Sequence, residues 1–283
     1  LPAAYLYLDR GVRESVAYNR RIGHRGRMTN PWLLFAAAAA AALSASTASA
    51  HDFFLLPESF HSHESGGLAV KATVGSHFPM PEIAVTSDRA EKTWAIGAGQ
   101  PQVHFTGTDK TSLGLHIAES GAGKLIVAFR SKARDVDYAE DRISLILEEY
   151  RLAPSVVALV QALPKPRTWH VISRRFAKTI ACVQTCNGGA DLSAPVEGTL
   201  EFVADGADLS HFRLLGDGQS LARYPIDLVG SDGKRQHLET DAHGSVHIPD
   251  GLKGPMMLFA AVLAPPRDGD RFTLDLTSLT FAR

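Results

Sequence analysis

The chain is short of several things that would have narrowed its chemistry. Two cysteines in 283 residues are too few for a disulfide framework or a cysteine-rich metal fold. A net charge of −1 with no long basic run argues against a general nucleic-acid binder. The sequence has no Gly-rich phosphate loop, no Gly-x-Ser-x-Gly elbow and no His-Glu-x-x-His motif, so the familiar signatures of phosphoryl transfer, serine hydrolysis and zinc proteolysis are missing. What is present is 45% hydrophobic against 21% charged residues, the balance of a folded globular protein. At roughly 100–200 residues per domain, the length allows one or two domains with real cores.

Long apolar runs are scarce as well, and the one exception is informative. Pro31 to Ala50 reads PWLLFAAAAAAALSASTASA, preceded by Arg20, Arg21, Arg25 and Arg27 and closing on Ala48-Ser49-Ala50. Positive residues, a short apolar run and a small-residue site in that order are the layout of a secretory signal peptide. Its apolar part, Trp32 to Leu43, has 12 residues, short of the ~20 that span a bilayer. Cleavage is expected after Ala50, which makes residues 1–50 an extension plus signal and His51 the mature N-terminus. The first methionine is Met28, so much of residues 1–27 reads as an over-extended gene start; a start slightly upstream of Met28 is the competing reading, because it keeps the arginines. Without residues 1–50 the chain carries 23 basic and 28 acidic residues and keeps 11 of its 12 histidines. Later apolar runs such as Met256 to Pro265 are too short for a membrane helix, so the expected product is periplasmic, soluble and not membrane-spanning.

From His51 onward, short alternating runs at Gly67–Phe78, Gln102–Thr106, Leu113–Ala118 and Lys124–Phe129, separated by Gly, Asp and Ser, predict a first β-sandwich over residues 51–134. The period then changes. In AEDRISLILEEYRL, Ile143, Ile146, Leu147 and Tyr150 recur at helical spacing and Pro154 limits the end; Ser155–Leu163 reads as a second short helix. Residues 135–190 are therefore expected to be a helical or irregular insert, with Ser173–Ile180 basic and unassigned. Strand runs return from Gly198 to Phe281, punctuated by Gly216-Asp217-Gly218, Ser231-Asp232-Gly233 and Asp241-Ala242-His243-Gly244, and predict a second sandwich over 191–283. The expected fold is all-β: two β-sandwich domains with a short helical insert after a cleaved signal peptide.

His51-Asp52-Phe53-Phe54-Leu55-Leu56-Pro57 directly after an Ala-x-Ala site resembles the opening of the periplasmic nickel-uptake-associated family, a domain of unknown function. The similarity continues through Leu145–Leu152, Arg174-Arg175-Phe176-Ala177-Lys178 and Thr277-Ser278-Leu279-Thr280-Phe281. The resemblance implies an exported all-β protein related to accessory components of nickel and cobalt uptake, with a membrane transporter component as partner. Members commonly carry Trp where this chain has Phe54, and Asp or Asn where it has His243. Leu214–Pro249 also resembles a prealbumin-like or invasin-like sandwich module.

The sharpest chemical feature is an N-terminal histidine. An α-amine titrating near ~7.7–8.0 and an imidazole near ~6.5 are both available as neutral nitrogen ligands around neutral pH. Together they can chelate one metal ion, and a further imidazole would suit Ni, Co or Cu. His61 and His63 are the nearest candidates, and His77 is the fourth; the alternative is a frayed end and polar loop or strand residues. With Phe53 third in the mature chain, the motif with His at position three is absent. His104 and His116 lie on expected strands, and His243 with His247 in a hairpin, where histidines ordinarily hydrogen-bond or face solvent. Cys182 and Cys186 are expected to form a disulfide in an oxidising compartment, with metal ligation or two free thiols as alternatives. The acids from Asp135 to Glu149 fit the wet face of an amphipathic helix, with Arg142 and Arg151 as counter-charges. The expected function is a non-enzymatic, periplasmic transition-metal-binding or delivery protein associated with nickel or cobalt, or copper, uptake. The rivals are a copper-dependent oxidative enzyme using the N-terminal histidine and a surface adhesion or scaffold module.

Overall fold

A computed structural model describes residues 51–63, 67–206 and 208–283; the expected signal segment and its cleavage position lie outside them. One sheet is formed by β1 (Asp52–Pro57), β3 (Leu68–Gly75), β4 (Ile83–Ala84), β6 (Gly99–Thr108) and β7 (Leu113–Ser120). A central nine-stranded sheet takes β2 (His61–Ser62), β5 (Ala90–Ile96), β8 (Gly123–Ser131), β9 (Arg134–Ala139), β10 (Thr168–Val183), β14 (Pro225–Gly230), β15 (Arg235–Glu239), β17 (Pro255–Ala264) and β18 (Phe272–Ala282). A third sheet holds β11 (Leu200–Ala204), β12 (His211–Gly216), β13 (Gln219–Ser220) and β16 (Ser245–His247).

The period-2 pattern explains how these sheets stack. Leu68, Val70 and Ala72 of β3, with Leu113, Leu115 and Ile117 of β7, turn inward to meet Leu125, Val127 and Phe129 of β8. Phe53 closes this first core edge-on to Phe129, ring centres 5.3 Å apart. On the third sheet Leu200, Phe202, Phe212 and Leu214 pack against Leu258, Leu279 and Phe281 of the central sheet. Each of these large side chains contributes roughly 1.5–3 kcal/mol by leaving water. Two helices, α1 (Glu140–Glu149) and α2 (Pro154–Gln161), cover a third region of the central sheet, where Ile143, Ile146 and Val160 pack over Trp169, Val171 and Phe259. Pro154 begins α2, where its missing N–H has no intrahelical partner to lose. No helix among the described residues is long and apolar enough to cross a membrane.

The central sheet changes the expected layout in one respect. Within residues 135–190 the helices occupy only 140–161, and residues 168–183 form the 16-residue strand β10. That strand runs parallel to β18 although the whole third sheet lies between them in sequence. Both sandwich layers therefore share the central sheet. The strand escapes a hydrophobic-pattern reading because three cations interrupt it, two of them paired across the fold: Arg174 Nη2 donates to Asp275 at 2.6 Å, and Lys178 Nζ to Glu201 at 2.7 Å.

The acidic run is also arranged differently from the expectation. Asp137 lies on β9 rather than on a helix, where its exposed carboxylate meets His170 Nδ1 at 2.6 Å. Glu140 takes Arg167 as its counter-charge, accepting from both its guanidinium and its backbone N–H, which holds the carboxyl down at about 2. Arg151 instead donates to the carbonyls of Ile226 and Leu238, at 3.0 and 2.9 Å. The turn signal at Gly216-Asp217-Gly218 does join two paired strands, with φ of 49° at Asp217 and 76° at Gly218, the left-handed pair that a tight hairpin requires.

Candidate metal centre

The start of β1 is anchored by its first residue. Asp52 begins β1 with 2% of its surface exposed, and its carboxylate accepts from Arg235 Nη2 on β15. Arg235 Nη1 donates to Asp227 at 2.8 Å, and Asp227 in turn bonds His237 Nδ1 at 2.6 Å. Arg235 also lies over the Phe259 ring, 5.5 Å from its centre. Burial pushes the Asp52 carboxyl up to about 6, against the pull of Arg235. This chain of contacts holds the start of β1 beside the β14–β15 hairpin and leaves His51 itself exposed.

Pairing of β1 with β3 brings a second histidine to this end. The antiparallel register sets Asp52 against Gly75, so its continuation sets His51 against Ser76, next to His77. Glu82 accepts from the Ser76 hydroxyl at 2.9 Å and from the His77 backbone N–H at 3.1 Å, and its Oε1 is also 3.1 Å from His77 Nδ1. Burial raises the Glu82 carboxyl, but the hydrogen bonds from Ser76 and His77 outweigh it and hold the group below its ordinary range.

An ionised carboxylate can only accept, so the neutral rings of His77 and His237 carry their proton on Nδ1 and keep the Nε2 lone pair free to bind. A histidine whose Nδ1–H is held by a carboxylate is the usual support for a metal-ligating imidazole. Both side chains are open to solvent, 74% for His77 and 61% for His237.

The expected quartet of His51, His61, His63 and His77 is split. His51 and His77 share the end of the β1–β3 pair where β1 begins. His61 and His63 lie beyond the opposite end, because β1 runs extended for six residues, about 20 Å at ~3.4 Å per residue. His61 and His63 therefore do not complete a site on His51, and β2 is too short to align them on one strand face. His61 instead pairs in register with Cys182 of β10. Cys182 and Cys186 are joined in a disulfide, their Cα atoms 5.0 Å apart. His61 and the two sulfurs are the one group of three potential ligands among the described residues whose donor atoms lie within 4.8 Å of one another, and the disulfide commits two of them. His104 and His116 face each other across β6 and β7, and His211 and His247 across β12 and β16.

His237 was not among the sequence candidates. The signal for it was the Ser231-Asp232-Gly233 turn: a hairpin closing there pairs residue 227 with residue 237, and the pair is Asp and His.

No family model matches the chain, and no curated protein matches it. Among solved structures it is similar to the D0-D1 domain of Intimin, 8% identical, with 81% of this chain and 97% of that chain covered and a TM-score of 0.18. The chain is an all-β sandwich protein.

Proposed function

We propose that the protein is an exported, non-enzymatic carrier that captures a late first-row transition metal ion, nickel, cobalt or copper, and passes it to a membrane uptake component. The observation that carries this reading is the Asp52–Arg235–Asp227–His237 chain, which ties the start of β1 to one carboxylate-supported imidazole, while the β1–β3 register brings a second, His77, one residue past the position opposite His51. After cleavage behind Ala50, His51 would offer its amine and its imidazole to one ion, with Nε2 of His77 or His237 as the added nitrogen. Nitrogen ligands of this kind suit Ni, Co and Cu. The resemblance of residues 51–57 to the nickel-uptake-associated family supports the same cargo. Binding by neutral nitrogens weakens as the imidazoles protonate, so capture fades as pH falls.

The test is a calorimetric titration with Ni(II), Co(II) and Cu(II) of the chain beginning at His51, beside the same chain with one extra N-terminal residue. The extra residue removes the amine from the chelate, and affinity is expected to fall about tenfold or more. Alanine at His77 or His237 should lower the affinity of the first form and leave the second unchanged. Equal affinity of the two forms, or no binding tighter than about millimolar by either, overturns the reading.

A further inference from the structure

The face of β10 that carries Trp169 and Val171 to the helices and Ala177, Ala181 and Val183 to the first core carries two polar residues between them, Ser173 and Arg175. Neither cover reaches that stretch. Backbone pairing along the same edge of β10 passes from β9 at Ser173 to β8 only at Ile180, so the sheet is also interrupted there. The result is a cavity of about 290 Å³, near the small end of the ~300–1,000 Å³ range of ligand sites.

Its walls are of two kinds. Phe53, Val74, Ile83 and Val85 form an apolar side. Arg89, Arg134 and Arg175, with Ser131 and Ser173, form a polar one, and no carboxylate is among the lining residues described. Of the acids around it, Glu91 pairs with Arg130 and Asp135 with Arg271, while Asp52 pairs with Arg235 and also acts on Arg175, and Asp88 bonds Thr86 at the rim and acts on Arg89, so the guanidiniums outnumber the carboxylates that offset them. Of the three guanidiniums, Arg89 spends one donor on the Lys132 carbonyl at 3.2 Å. Ser131 and Ser173 are both at least nine-tenths buried. Three cations gathered against an apolar wall, with hydroxyls at the back, is an arrangement that stabilises a buried anion, because charge-assisted bonds from Arg are roughly twice as strong as neutral ones and match a planar carboxylate.

We propose that this cavity binds a small organic carboxylate with an apolar tail, its head group on Arg134 and Arg175 and its tail against Phe53 and Ile83. The site uses no histidine and stands independently of the metal reading.

Calorimetry on the metal-free mature chain with a chelator present tests it, using octanoate, octyl phosphate and octylammonium as probes. Octanoate is expected to bind saturably below about a millimolar, and octylammonium not at all. Arg175→Gln and Arg134→Gln should each weaken octanoate about tenfold or more, the loss expected for one charge-assisted bond. Arg134 is exposed, so its variant keeps the test open if Arg175→Gln fails to fold. Equal binding of octanoate and octylammonium, or no effect of either substitution, would reduce the cavity to an apolar hollow and overturn the proposal. Absence of saturable octanoate binding up to about 10 mM overturns it too. Tighter binding of octyl phosphate than of octanoate overturns the choice of a carboxylate head.

Discussion

On one face of β10, Ala177, Ala181 and Val183 meet apolar side chains from β1, β3, β7 and β8, and the layer they help to form is dry. On the other face Phe176 and Ile180 enter an equally apolar core, yet Lys178 sits between them, 1% exposed, with Glu201 of β11 as its partner. Glu201 also accepts from the backbone N–H of Val196 and Gly198, at 2.8 and 2.9 Å, so every part of that carboxylate is engaged. From Ala177 to Val183 the dry face gains chiefly by area, its one polar side chain being Thr179, which donates to the Thr280 carbonyl at 3.3 Å, and it tolerates apolar exchange. The ion-paired face is directional: it fixes which residue of β11 lies over which residue of β10, and burial pulls the Lys178 ammonium below its ordinary range despite the opposing charge. Two cores on one strand thus differ in what they specify rather than in how much they bury.

The largest expected effect breaks that difference directly. Glu201→Gln leaves a buried ammonium without a counter-charge, and the loss should be about 3–5 kcal/mol in urea denaturation. Adding Lys178→Met to Glu201→Gln should recover part of it, since the stranded charge is gone and an apolar chain fills the lysine's volume, while the amide's single oxygen at the Oε2 position can keep the bonds from Val196 and Gly198. If the double variant is as unstable as the single one, the two faces differ by packing and not by charge.

The same contrast sets how much was readable in the sequence. The strands of the dry layer announce themselves by alternation, as in Leu68-Ala69-Val70-Lys71-Ala72, and both helices by their period and by Pro154. Strand β10 does not, because Arg174, Arg175 and Lys178 interrupt the pattern, and the partners of Arg174 and Lys178, Asp275 and Glu201, lie 101 and 23 residues away. The candidate metal centre divides in the same manner. His51 and His77 were visible as residues, but their proximity depends on the β1–β3 register, and His237 enters through a hairpin pair with an acid. Grouping His61 and His63 with His51 failed because nearness in sequence becomes distance along an extended strand.

A second effect belongs to Asp52, the buried acid at the start of β1. With its carboxyl raised from 3.8 to about 6, the folded protein holds a proton there that the unfolded chain has already released. The stabilisation from that proton is complete below about pH 4 and is lost as pH rises through about 6, by at most about 3 kcal/mol. Asp52→Asn removes the titration. The stability difference between wild type and variant should therefore move in the variant's favour from pH 4.5 to 7.5, and parallel curves across that range would show that Arg235 compensates the burial fully.

The smallest effect sharpens the comparison at the far end of β10. Cys182 lies on the strand's ion-paired side, and its disulfide to Cys186 closes a loop of only five residues before the chain turns into the third sheet. Loop-closure entropy for so short a loop gives about 2 kcal/mol, so Cys182→Ser with Cys186→Ser should lower stability by no more than that. Its position makes the distribution of the effect more telling than its size. Amide exchange should accelerate at Gln184–Ala190, where Ala190 N–H bonds the Lys124 carbonyl at 2.8 Å, and stay unchanged in β3 and β7. Faster exchange in those two strands would mean that the cores on the two faces of β10 open together, and that the shared strand couples what its side chains keep chemically apart.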